Sequence, residues 1–134
     1  MNQIELKEYA PVAKHSIRTV LLATDGTSYA ERALENSIRM TRHAGGRLII
    51  TYFADPKDTT LFEGFPYQNE EDWQAYGRNI LARLEERARR DGVYEVETVL
   101  ERYQGEESLT NLAQQVNADI IMLASHLFRC NGLT

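Results

Sequence analysis

Apolar runs and amphipathic stretches take turns along this chain. "IRTVLLAT" (residues 17–24) is continuous in apolar and β-branched residues and stops at Asp25-Gly26. Such a run, without polar alternation, predicts a strand buried on both faces, as in a parallel sheet. In "SYAERALENSIRMTRHAGG", Ala30, Ala33, Leu34, Ser37, Ile38 and Thr41 fall on one face of a helix. Ser28 and Glu31 have capping-box spacing at its start, and Gly45-Gly46 stops it. "RLIITYF" (residues 47–53) is a second strand of the buried type.

The stretch from Ala54 to Gln68 reads as a loop, with Pro56, Gly64 and Pro66 among Leu61, Phe62 and Phe65. Asn69 caps a long predicted helix whose apolar side is Trp73, Tyr76, Ile80, Leu81, Leu84 and Ala88, ending at Gly92. Trp73 and Tyr76 read as core rather than as a stacking platform. The charged run from Glu85 to Arg90 reads as a solvated face, with its arginines well placed near a helix C-terminus. "VYEVETVL" (residues 93–100) alternates only partly, as a strand near a sheet edge would. Gly105 opens a helix with Leu109, Leu112, Ala113 and Val116 inward, and "DIIMLAS" (residues 119–125) is a fourth strand.

This β-α-β-α-β-α-β order predicts an α/β fold: an open parallel sheet in three α/β/α layers, Rossmann-like, with right-handed crossovers. Residues 1–16 form a polar N-terminal arm, and residues 17–134 form the domain. In an open parallel sheet, ligands bind beyond the carboxyl ends of the strands where strand order reverses. For an order 3-2-1-4, that point lies between the first and fourth strands. Thr24, Asp25 and Gly26 then face Ala124, Ser125 and His126, and the first helix points its N-terminal N–H groups at the same crevice. Asp25 alone would read as a cap of the helix or its turn, and the second cluster converging on it favours a site role. Gly26 reads as a turn residue, and Ser125-His126 reads equally as the start of a solvated loop. The i,i+4 pair His126 and Cys130 supplies too few ligands for a structural zinc site, so no metal is expected.

Composition narrows the classes. The 134 residues are 43% hydrophobic and 26% charged, an ordinary globular balance. A net charge of −5 with dispersed Lys and Arg argues against nucleic acid as a partner. One Cys suits a reducing compartment, no apolar run is long enough to span a membrane, and a cytoplasmic location is expected.

Taken in order, "VLLATDGTSYAERAL", "GGRLIITYFAD", "GVYEVETVLERYQGEE" and "NADIIMLASH" resemble the universal stress protein family over residues 17–126. The resemblance implies a five-stranded parallel sheet of the adenine nucleotide alpha hydrolase-like type, a role in the stress response and, commonly, a homodimer. In ATP-binding members the end of the first strand, here Thr24 and Asp25, contacts the nucleotide. The end of the second, here near Phe53, meets adenine through its backbone. The phosphates lie on a Gly-x-x-Gly turn after the fourth strand, followed by Gly-Ser or Gly-Thr. Here that turn reads Ala124-Ser125-His126-Leu127, and the sequence reaches Thr134 before the later pair, the last helix and the fifth strand.

The sequence therefore reads as a non-catalytic regulatory or protein-interaction domain with a degraded nucleotide site. No cofactor is expected, and ATP or AMP binds weakly if at all. An ATP- or AMP-binding member is the alternative and a nucleotide hydrolase a distant one, because no Walker A sequence, nucleophile elbow or glycine fingerprint is present. Ile120, Ile121, Met122 and Leu123 on an open edge predict self-association, as a homodimer or larger homo-oligomer, through the fourth strand and the segment after it.

Overall fold

The computed structural model describes residues 17–24, 26, 29–54 and 70–124. Its strands are β1 (Thr19–Thr24), β2 (Arg47–Ala54), β3 (Glu95–Arg102) and β4 (Ile120–Ala124), and its helices are α1 (Tyr29–Ala44), α2 (Glu70–Arg90) and α3 (Glu107–Gln115). The sheet order is β3-β2-β1-β4 and every neighbouring pair is parallel. The predicted alternation of elements and the predicted strand order both hold. The N-terminal arm, Ser28, Asn69, the loop proposed after Ala54 and the His126–Cys130 pair lie outside the described residues.

Alternate residues of the strands feed two cores. On one face Val20, Leu22, Leu48, Ile50 and Tyr52 pack with Leu34 and Ile38 of α1 and Trp73, Ile80, Leu81, Leu84 and Ala88 of α2. On the other, Leu21, Ala23, Ile49 and Phe53 meet Leu109 and Leu112 of α3. All six residues of β1 are buried, which is why the sequence there shows no alternation. β3 lies at the sheet's outer side, and its mixed burial explains its weaker pattern.

Trp73 belongs to the core, at 3% exposure, with the Arg102 guanidinium carbon 5.2 Å from its ring centroid. Tyr76 is half-buried and meets Tyr52 edge-on at 6.0 Å between centroids. The two helices on this face are also linked by Arg87, which bridges Glu31 (3.4 Å), Glu35 (3.1 Å) and Asp91 (3.3 Å). These carboxylates raise the guanidinium's pKa, Glu35 foremost. Exposed pairs of this kind add little stability.

The amino-terminal end of the sheet is tied by polar side chains. One Asp119 carboxylate oxygen accepts the N–H groups of Arg18 (2.9 Å) and Thr19 (2.8 Å), while the Asp119 N–H donates to the Thr19 carbonyl (2.8 Å). Arg47 donates to Thr19 Oγ1 (3.2 Å) and to the Val116 carbonyl (2.8 Å). The Arg18 and Thr19 hydrogen bonds hold the Asp119 pKa below its ordinary 3.8. A depressed folded-state pKa stabilises the protein above the unfolded value and loses that effect as pH falls through the folded one. Asp119→Ala is therefore expected to lower stability by about 1–2 kcal/mol near neutral pH, the exposure of the carboxylate being allowed for. Urea unfolding should show the gap between variant and parent narrowing as pH drops below roughly 4.

Candidate functional site

With its amino-terminal end tied, the sheet leaves its carboxyl end for a ligand. The chain leaves β1 toward β2 on one side and returns as β4 on the other, so strand order reverses between β1 and β4. Thr24 stands directly opposite Ala124 across this junction and opposite Tyr52 on the other side. Thr24, Tyr52 and Ala124 therefore occupy one level on three adjacent strands, with Phe53 the next residue along β2. Gly26 follows at the head of the β1–α1 connection. Asp25, Ser125 and His126 lie outside the described residues.

Each described residue has a distinct role. The Thr24 side chain is fully buried, and its Oγ1 accepts the Gly26 N–H at 3.0 Å. That bond closes a tight turn in which Gly26 takes φ +85°, a conformation glycine adopts at little cost. A Cβ at Gly26 would overlap Ile80 Cδ1 of α2 and stand 3.6 Å from Tyr52 Cε1, so the turn is seated on both side chains. Phe53 is 1% exposed and its ring is committed to the α3-side core. Ala124 is also buried.

Sequence reasoning missed the supports of the Gly26 turn. Tyr52 and Ile80 carry the Gly26 turn, yet in the sequence each reads as one more apolar position. Thr51, beside Ala23 in the sheet, is fully buried with its hydroxyl unpaired. A polar residue inside "IITYF" is the signal that marked it.

A separate hollow of about 450 Å³ lies between the end of β3 and α3. Glu101, Gln104, Glu107, Ser108 and Asn111 line it, a polar wall with no residue from β1 or β4. Among the described residues no group of three or more His, Cys, Asp or Glu is placed to hold a metal ion, and no helix is long and apolar enough to cross a membrane.

Residues 16–127 match the family model described as the universal stress protein family. A universal stress protein of Staphylococcus aureus (strain USA300) is 29% identical over 107 residues, a match covering 78% of this chain and 64% of that relative. The chain thus spans just under two thirds of the length of such relatives. Among solved structures, a universal stress protein family member from Burkholderia pseudomallei superposes with a TM-score of 0.69 at 26% identity, covering 83% of each chain. A universal stress protein in complex with cAMP shares the fold, with a TM-score of 0.62 at 23% identity over 79% of this chain and 71% of that one. With a family match over most of its length and the same sheet topology beneath it, the chain belongs to the universal stress protein family.

Proposed function

We propose that this protein is a non-catalytic regulator of the universal stress type, whose β1–β4 crevice takes an adenine-based ligand with a poor grip on phosphate. The observation that carries the reading is the register of Thr24 against Ala124 at the point where strand order reverses, with the Gly26 turn directly above. An open parallel sheet places its ligand site there. The cAMP complex of a protein with the same fold supports the choice of an adenine-based ligand. The family resemblance assigns the base to the end of β2 near Phe53, one residue beyond the Thr24 level, while the Gly26 N–H is already engaged by Thr24 Oγ1 and is a poor donor for an anion.

On this reading the protein acts through occupancy and contact, as a cytoplasmic homodimer or larger homo-oligomer that presents a surface to a protein partner. β4 supports the self-association: it is an outer strand of the described sheet, and Ile121 on it is 40% exposed. The test is a titration of isotopically labelled protein with adenosine, AMP and cAMP, followed by amide resonances. Thr24, Gly26 and Ala124 should shift in a saturable way. Shifts confined to other strands, or none at millimolar ligand, would remove the reading. Steady release of ADP from ATP and Mg²⁺ would replace it with an enzyme.

A further inference from the structure

The two outer strands of the described sheet each adjoin an exposed large apolar residue: Ile121 on β4, at 40%, and Tyr94 just before β3, at 92%. An outer strand beside exposed apolar surface is a template for pairing with another chain. On the β3 side a side chain occupies the template. Arg89, in the last turn of α2, donates from Nη1 to the Tyr94 carbonyl and from Nη2 to the Val96 carbonyl, both at 3.0 Å. Its remaining nitrogen, Nε, donates to Glu85 at 3.0 Å, which holds the plane of the guanidinium.

The arrangement differs from the usual one for an arginine in this place. A cation at a helix C-terminus ordinarily serves its own helix's carbonyls. Arg89 instead leaves its helix and reaches the next strand. Carbonyls two residues apart on a strand point to the same side. The pair taken by Arg89 therefore begins the row that continues through Thr98 and Leu100. An added strand must use that row, and it would have to displace a guanidinium whose three nitrogens are all engaged. The rigid fork of arginine suits two acceptors, whereas a lysine ammonium acts as a single point.

We propose that Arg89 is an edge guard, closing the start of β3 to strand addition by a second copy of this chain. Self-association is thereby directed away from β3. The guard acts on an edge distant from the β1–β4 crevice and is independent of any ligand there.

The experiment compares the parent with Arg89→Met and Arg89→Lys by light scattering across a concentration series, together with hydrogen exchange of the β3 amides. Far-UV circular dichroism checks the fold. Arg89→Met keeps the aliphatic stem and loses all the donors. It should associate at least about ten-fold more tightly than the parent, with Thr98 and Leu100 amides gaining protection as concentration rises. Arg89→Lys should lie between the two, and it carries the test if the methionine variant does not fold. Parent-like association in the folded variants would overturn the proposal. So would concentration-dependent protection of Thr98 and Leu100 in the parent, because the edge would then already be in use.

Discussion

ATP with Mg²⁺ is expected to bind no more tightly than roughly millimolar, while adenosine binds nearly as well as ATP. The resemblance to ATP-binding members implies a Gly-x-x-Gly phosphate turn at a place where this sequence reads Ala124-Ser125-His126-Leu127. Ala124 is a small change, because it is still inside β4 and its methyl group is buried. Leu127 is expected to be the larger one, since a branched residue disfavours a turn that glycine makes freely. The Gly26 amide cannot compensate while Thr24 Oγ1 accepts its proton. Each charge-assisted hydrogen bond lost is worth about 1.5–3 kcal/mol, so the loss of two or three weakens binding by several orders of magnitude. Isothermal titration decides it: micromolar ATP affinity would show that phosphate finds other donors. Leu127→Gly should strengthen ATP binding by at least about ten-fold and leave adenosine unchanged.

Gly46→Ala should be the most damaging single methyl group in the described fold. Gly46 has no positive φ, so its requirement is for space alone. A Cβ there would overlap the Arg18 carbonyl oxygen and lie 2.7 Å from its carbon and 2.9 Å from its Cα. All of these are backbone atoms, and Arg47 N donates to that same carbonyl at 2.7 Å. Nothing flexible can yield, so the starts of β1 and β2 must part. A loss of roughly 3 kcal/mol or more is expected, at the upper end for overpacking, with a fall in the thermal midpoint of about 10 °C. The neighbouring Gly45→Ala is the control. Gly45 has φ +66° and open space, so it should lose only the left-handed strain, about 1 kcal/mol. Equal losses in the two variants would contradict the steric account.

The helix faces and the buried strands were legible because burial leaves a period in the sequence. Ala30, Leu34, Ser37, Ile38 and Thr41 are all buried in α1, and Ser37 and Thr41 satisfy their hydroxyls on the carbonyls of Ala33 and Ser37. The apolar pattern puts the third strand at 93–100, two residues ahead of β3 at 95–102, because Val93 is buried without belonging to the ladder. The strand ends forming the crevice could be inferred from topology, since the position of a switch point follows from strand order. The ties at the opposite end could not. Asp119 and Arg47 read as unremarkable strand starts, and their partners Arg18, Thr19 and Val116 are distant in sequence. Arg89 was hidden in the same way, inside a charged run that reads as solvated surface.

The β1–β4 seam also has a consequence for the order of folding. Arg18 and Asp119, whose contact secures that seam, are 101 residues apart, whereas Thr19 and Arg47 on the β1–β2 side are 28 apart. Closing the longer loop costs only about 1 kcal/mol more in chain entropy, but that cost precedes any return from the contacts it allows. β1, β2 and β3 with their two helices are therefore expected to assemble first, and β4 to dock last. During synthesis the crevice cannot exist until β4 has emerged and found β1. A ligand that touches both strands binds only the docked state and shifts the equilibrium toward it in proportion to its concentration over its dissociation constant. The last seam to close is thus the one that a bound nucleoside would hold shut.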